Sequence, residues 1–294
     1  MDTRKIQKSG STHYVYLPAT WCRNHSITTD SVVSLEKSSN GNLLIHPNEK
    51  AKQASSLKID LTEKSQEVIN KVIIATYINP IKNFEITLPK NLSANQILEH
   101  KKLLGGLELV DFEDNKIICQ TTFSMRDPDL MLSNMIRKIK SIITLIKQGE
   151  IKELIDRYEE EIDKSNLIIH KATISTFMYK RESKLRHIEL FYISLISRTL
   201  EQLTDDIILL DKTDTFLTDI HEFIVKLEDI HSNVEQDKVI AFIKDVAKYE
   251  TVKVTNPKTY LRQRIISHLD HLAEILSDWF ITNKIDEAQI EKKT

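Results

Sequence analysis

The stretch KLRHIELFYISLISRTLEQLTDDIILLDK, residues 184–212, decides the fold class of this chain. It contains neither glycine nor proline, and its core-type side chains recur every three or four residues, the spacing of one face of an α-helix. The series is Ile188, Tyr192, Leu195, Thr199, Leu203, Ile207 and Leu210. This pattern predicts a long amphipathic helix that buries one side against other helices.

Similar patterns on either side of this stretch predict a helical bundle. We expect further helices near residues 129–148, 150–179, 215–232, 236–249 and 257–284, separated mainly by polar breaks. Only five of the 294 residues are glycine, against a usual share of ~7%. So few glycines argue against a β-sandwich and against an enzyme with glycine-rich phosphate loops.

Two smaller segments precede the bundle. Residues 57–125 alternate in the order β-α-β-α-β-β, with LKIDL, NFEITLP, LELVDFED and KIICQTTF as strands and SQEVINKVIIATYI and ANQILEHKKLLGG as helices. Residues 1–50 give a strand THYVYL, a short helix PATWCRNH, and strands SVVSLE and NLLIHP joined by a turn that contains Gly41. Such a short segment has too little core to fold alone, so it should pair with a second copy or dock on the rest of the chain.

The predicted fold class is therefore α+β, mostly α, in three domains. These are a small β-rich domain at 1–50, an α/β segment at 56–125 and a six-helix bundle at 127–290, with residues 51–55 as a linker. The formal net charge of −2 hides an asymmetry, because residues 1–50 carry six Lys and Arg but four Asp and Glu. Any electrostatic attraction for nucleic acid is expected at this end.

The cysteines and the apolar runs predict a compartment. Cys22 and Cys119 form neither a disulfide framework nor a zinc motif, which indicates a reducing, cytoplasmic environment. The N-terminal residues have no apolar signal-peptide core. The longest apolar runs have only a few residues, against the about 18 that a membrane span needs, so we expect no membrane insertion.

Two pairs of carboxylates carry the main chemical signal. Glu159 and Asp163 are four residues apart on the second bundle helix, and Glu201 and Asp205 have the same spacing on the third. If the two helices form an antiparallel hairpin about residue 182, Asp163 lies level with Glu201, and Glu159 with Asp205. Their positions around each helix put the cluster at the surface or in a groove, not in the core.

Such a cluster has two interpretations. Acidic residues on a helix surface are often merely solvated. Clustered carboxylates also repel one another unless a cation lies among them, and their oxygen atoms suit Mg²⁺, Ca²⁺, Mn²⁺ or iron. The predicted metal ligands are thus Glu159, Asp163, Glu201 and Asp205, for a divalent or iron-type ion of unknown identity.

The bundle resembles the phosphate-uptake regulator family, PhoU. RTLEQLTDDIILL (198–210) is similar to the family's third helix, with Arg198, Glu201 and Asp205 in the pattern Arg-x-x-Glu-x-x-x-Asp. RYEEEIDKSNLIIHKATIST (157–176) resembles its second helix. RQRIISHLDHLAEILSDWF (262–280) resembles the third helix of a second repeat, with Asp270 in place but Ile266 where Glu should stand. The resemblance implies two three-helix repeats, multinuclear metal binding at the acidic motifs and regulation of phosphate uptake without catalysis.

The N-terminal segment resembles the SpoVT/AbrB-like swapped-hairpin domain. The similarity rests on the basic start, the Ser-Gly turn, the strand that ends in Leu-Pro, Trp21, the paired valines and the Gly-Asn-Leu-Leu-Ile end. This order of an AbrB-like and a PhoU-like part is typical of archaeal regulators. The resemblance implies a homodimer of interleaved hairpins that binds DNA, with Arg4, Lys5, Lys8 and Arg23 as the candidate DNA-binding residues. A domain that only dimerises is the other interpretation.

Three functions follow from these patterns. The first is a PhoU-like regulator of phosphate homeostasis that binds metal on the bundle and DNA through residues 1–50. The second is a PhoU-like protein whose N-terminal domain only dimerises and which acts by contact with a phosphate transporter or another regulator. The third is a metal hydrolase, which we rank last because neither a nucleophile-activating nor a leaving-group residue accompanies the carboxylates. We therefore expect no enzymatic activity.

Overall fold

The computed structural model describes residues 3–37, 43–47, 56–62, 65–89, 104–113, 115–121, 127–149, 152–179, 185–249 and 254–291. The chain divides into two compact units, Met1–Gln53 and Ala54–Thr294, which we call the first and the second unit. The described part holds eight helices and eight short strands, so the predicted α+β, mostly α class is confirmed.

The first unit consists of two hairpins and one short helix. Strands β1 (Gln7–Ser9) and β2 (Thr12–Tyr14) pair antiparallel around Gly10, whose φ of 59° is left-handed. Helix α1 (Ala19–Asn24) follows Pro18, and β3 (Ser34–Lys37) pairs antiparallel with β4 (Leu43–His46). The β–α–β–β order predicted for this segment is wrong, because β1 adds a strand at its start. QKS is polar and lacks an alternating pattern, so only the turn at Gly10 marks that strand.

The first unit has no buried side chain among the residues whose exposure is described. Val32 is 77% exposed, Ile6 70% and Tyr16 66%. The predicted turn with Gly41 lies outside the described residues. The described part of this segment thus has no apolar core of its own, in agreement with the expectation from its length.

The second unit begins with a four-stranded sheet. It contains β5 (Ser56–Asp60), helix α2 (Gln66–Ile78), β6 (Asn83–Thr87), β7 (Leu107–Glu113) and β8 (Lys116–Thr121). The strand order is β5-β6-β8-β7, with β5 parallel to β6 and the other pairs antiparallel. The four strands and α2 lie where the sequence predicted them, whereas the helix predicted over ANQILEHKKLLGG lies mostly outside the described residues.

Six helices follow the sheet, within a few residues of their predicted positions. They are α3 (Pro128–Gln148), α4 (Lys152–Tyr179), α5 (His187–Ile207), α6 (Phe216–Ser232), α7 (Gln236–Val246) and α8 (Pro257–Glu291). Local sequence fixes the ends of α3. The Asp127 carboxylate accepts a hydrogen bond from the Asp129 amide, and Gly149 ends the helix with a left-handed φ of 71°.

Helix α5 lies at the centre of the bundle. It contacts α3, α4 and α8, while α6 packs on α3 and α7 packs on α8. The apolar stripe predicted for α5 is therefore too narrow. Ile193, Ile196 and Leu200 are fully buried outside that stripe, and Ile188 and Leu195 within it are only partly buried. A helix with several neighbours buries more than one face.

Helix α4 joins the bundle to the sheet. Ile169 lies in the bundle core, whereas Leu167 packs against the apolar cluster formed by α2 and the sheet. The fully buried Lys171 donates a hydrogen bond from Nζ to the Tyr77 carbonyl of α2 at 2.6 Å. The sheet and the bundle thus share one helix.

Candidate metal centre

Helices α4 and α5 form the antiparallel hairpin that the acidic spacing required. The Ser197 hydroxyl of α5 donates to the Asn166 side-chain oxygen of α4 at 3.1 Å. The Thr173 hydroxyl lies 3.4 Å from the Leu190 carbonyl oxygen. The two members of each pair are nearly equidistant along the chain from residue 182. The register is therefore the one that sets Asp163 level with Glu201.

Three of the four predicted metal ligands meet at this level. Asp163, Glu201 and Asp205 each offer a carboxylate oxygen, and these three oxygens all lie within 4.8 Å of one another. All three side chains are half-buried, in agreement with the groove position predicted from their places on the helices. We call these residues the acidic triad.

Glu159, the fourth predicted ligand, lies beside the triad and not within it. It is half-buried on α4, one turn before Asp163. Its pKa is raised, chiefly by burial and then by the charge of Asp205. The charge of Asp205 therefore acts on the carboxyl of Glu159. The oxygens of Glu159 are not among those that converge in the triad.

The triad is electrostatically unfavourable without a cation. Burial, with the nearby charges of Asp205 and Asp163, raises the pKa of Glu201 to about 7. Burial, with Glu159 and Asp205, raises the pKa of Asp163 to about 6. The pKa of Asp205 is raised too, by burial and by Asp206. All three carboxyls therefore release their protons at a higher pH than ordinary exposed carboxyls do.

A second cluster behind the triad was missed by the sequence analysis. Asp206 is 1% exposed and pairs with two residues of α8. Its Oδ1 lies 3.0 Å from Nη2 of Arg264, and its Oδ2 lies 3.1 Å from Nε2 of His268. The sequence offered one clue, since Asp206 falls among apolar positions of α5 and a buried carboxylate needs partners.

His268 and His271 lie one turn apart on α8 but differ in exposure. Only His271 is exposed, while His268 is half-buried against Asp206. Because the two residues are only one helical turn apart, their spacing along the chain does not reveal which of them is half-buried.

An open cavity of about 640 Å³ adjoins the triad. Its walls come from α2, α4, α5 and α8, so it lies between the sheet layer and the bundle. Glu201 and Asp205 line it together with Arg198, His170 and Arg264. The Nε2 atom of His170 is buried and has no hydrogen-bond partner within the described parts of the chain.

The described acidic residues of α8 form no equivalent group. Asp270, Glu274 and Asp278 are exposed on α8, and Ile266, which stands where the family pattern has Glu, is buried. Within the described ranges, the triad is the only set of three or more His, Cys, Asp or Glu residues whose ligand atoms converge.

The predicted DNA-binding residues belong to the first unit. Arg4, Lys5 and Lys8 lie at or before β1, and Arg23 lies on α1. All four are exposed. A membrane-spanning segment is not found, since no helix in the described ranges combines the length and the apolar character that crossing a bilayer requires.

Comparisons with protein-family models, with curated proteins and with solved structures returned no match to this chain. Its candidate chemistry therefore rests on the geometry above. The triad fits a hard or borderline cation, because it brings three carboxylate oxygens close together. A bound cation would also relieve the repulsion between these carboxylates.

Proposed function

We propose that this protein is a PhoU-like regulator of phosphate uptake and phosphate homeostasis, with a metal site on its helical bundle and a DNA-binding first unit. The observation that carries the proposal is the acidic triad, since Asp163 on α4 and the Glu201–Asp205 pair on α5 converge within 4.8 Å. These are positions at which the resemblance to the PhoU family implies metal ligands.

In this proposal the bundle residues hold a metal ion and no reaction follows. Asp163, Glu201 and Asp205 would be the ligands, with Glu159 at the edge of the site. The bound ion supplies positive charge that offsets the repulsion between the helices α4 and α5. Asp206 fixes His268 and Arg264 behind the ligands and so keeps the wall of the site in place.

The first unit would contact DNA as a homodimer. Arg4, Lys5, Lys8 and Arg23 are exposed cations, and two copies would double the number of phosphate contacts. Such contacts give affinity without sequence information, so base recognition would need further residues.

A gel-shift assay of the full chain with promoter DNA of phosphate-transport genes tests this function. We expect a complex at low salt whose affinity falls steeply as salt is raised. Arg4→Ala with Lys5→Ala and Arg23→Ala should weaken the complex and reduce the salt slope by ~0.9 for each lost contact. A matched control removes three exposed lysines of the second unit, Lys71, Lys152 and Lys244, and should change neither quantity.

The apolar surface of the first unit favours a second candidate function. Ile6, Tyr16 and Val32 are each more than three-fifths exposed, which suits a protein partner better than DNA. In this alternative the first unit only dimerises, and the protein acts by contact with a phosphate transporter or another regulator. Failure of the full chain to shift the promoter DNA at low salt, with or without metal, would exclude the first function and favour this one.

A further inference from the structure

The cavity beside the acidic triad has a basic side that a metal site alone does not explain. Arg198 is exposed at the cavity and makes no hydrogen bond or ion pair within the described residues. It lies close enough to Glu201 and to His170 for its charge to act on the pKa of both. Arg198 thus lines the cavity without a fixed partner among the described residues.

Two further polar side chains, His170 and Arg264, line the same cavity. The buried Nε2 of His170 has no partner among the described residues, and burial, followed by the charge of Arg198, lowers the pKa of this ring. A neutral ring next to an arginine donates or accepts according to its tautomer. Arg264 pairs with Asp206 through Nη2, and its other guanidinium N–H groups can donate to a ligand in the cavity.

The charged side chains around the cavity explain why an anion should bind there only when the metal ion is present. Two guanidinium groups, those of Arg198 and Arg264, face four carboxylates, those of Asp206 and the triad. When these carboxyls are ionised, the metal-free cavity carries an excess of negative charge and repels anions. One divalent ion in the triad offsets that excess, so an anion can approach Arg198, which makes no fixed ion pair within the described residues.

The ligand must bridge three different groups. An anion here would meet a metal ion, a guanidinium fork and an imidazole nitrogen at once. A carboxylate has two oxygens for these three partners, whereas a phosphate group has enough oxygens for all of them, and arginine binds phosphate through paired hydrogen bonds. Ile74, Ile78 and Leu167 form an apolar wall next to the polar groups, with room for a small organic part.

We propose that this cavity binds a phosphate group, free or as the monoester of a small organic molecule, between the metal ion of the triad and Arg198. This proposal rests on the proposed metal site, because the ion and the anion bind with positive coupling. Each ligand then raises the affinity for the other by the same factor.

Calorimetric titration of the full chain tests the coupling. Inorganic phosphate is added to the Mn²⁺-loaded and to the metal-free protein, and the experiment is repeated with glycerol 1-phosphate to distinguish free phosphate from a monoester. We expect measurable binding only with Mn²⁺, and a Mn²⁺ affinity that rises about tenfold when phosphate is in excess. Enhanced phosphorus NMR relaxation by bound Mn²⁺ should show that the phosphate lies next to the ion.

The variant Arg198→Gln separates this inference from the metal site. Mn²⁺ should still bind, because Arg198 is not a ligand, but the effect of phosphate on the Mn²⁺ affinity should disappear. Arg137→Gln, at an exposed arginine of α3 paired with Glu228, is the control and should keep the full coupling. Mn²⁺ binding that is unaffected by either phosphate overturns the inference and leaves the metal site intact. Absence of Mn²⁺ binding under all conditions overturns both.

Discussion

Glu201 and Asp205 form the residue pair on which the metal site depends most. Both carry a raised pKa without a cation, so replacing them with Glu201→Gln and Asp205→Asn should raise the free energy of unfolding of the metal-free protein. The same change should abolish stabilisation by metal, which for a bound ion at a hundred times its Kd is about 2.7 kcal/mol. Melting curves with Mg²⁺, Mn²⁺, Zn²⁺ and Fe²⁺ measure both effects.

The chain offers a matched control for this pair. Glu274 and Asp278 have the same spacing on α8 and are exposed outside the triad. Glu274→Gln with Asp278→Asn should leave the response to metal unchanged. If the two double variants respond alike, the triad is a solvated acidic surface and holds no ion.

The triad also predicts a pH dependence of stability. The raised pKa values, about 7 for Glu201 and about 6 for Asp163, mean that the folded chain binds these protons more tightly than the unfolded chain, whose carboxyls titrate near ~4. Their protons therefore stabilise the fold fully below pH ~4, and this stability is lost as the pH rises towards 7.

Denaturant unfolding of the metal-free protein between pH 4 and 7 measures this effect. The difference in unfolding free energy between wild type and the variant with Glu201→Gln and Asp205→Asn removes the contribution of unrelated groups. We expect that difference to fall as the pH rises, and a constant difference would contradict the raised pKa values.

At the scale of helices, Asp214 ties the start of α6 to α8. Its carboxylate is 1% exposed, accepts a hydrogen bond from the Phe216 amide and pairs with Arg262 and Lys258. Asp214→Ala would leave Arg262 without its carboxylate partner and the Phe216 amide without its acceptor, so we expect a loss of about 2–3 kcal/mol in unfolding free energy. Urea unfolding followed by circular dichroism measures the change.

A surface ion pair of the same kind provides the comparison. Arg186 binds Asp286, whose side chain is 42% exposed, between α5 and α8. Asp286→Ala should cost less than about 1 kcal/mol, since exposed pairs are screened by solvent. Equal losses in the two variants would mean that the burial of Asp214 contributes little.

The elements also show how far sequence alone could predict this molecule. The helices α3 to α8 and the register of α4 on α5 were predictable, because apolar spacing and the symmetric positions of the acidic pairs encode them directly. Strand β1 was not, since its polar residues depend on pairing across Gly10. Nor were Arg264 and His268, because their contact with Asp206 depends on how α8 packs against α5, and sequence spacing carries no information on that packing.

At the scale of the whole molecule, the described part of the first unit has no buried side chain, and the unit should obtain a core from a second copy. We expect the full chain to be a dimer, and Val32→Asp, at a side chain 77% exposed within one copy, should shift it towards the monomer. Leu209→Asp, at a similarly exposed apolar side chain of the second unit, is the control. Light scattering gives the mass, and a dimer that survives both Val32→Asp and deletion of residues 1–53 would place the interface elsewhere.

Helix α4, with one side in the bundle core and another on the sheet cluster, has a consequence for cooperativity. Both layers pack against α4, so if either one unfolds, apolar surface of this helix becomes exposed and the other layer loses support. The sheet and the bundle should therefore melt in a single transition. Trp279 fluorescence reports on the bundle, and thiol labelling of the buried Cys119 reports on the sheet. In a chain with Trp21→Phe and Cys22→Ser, the two signals should change at the same urea concentration.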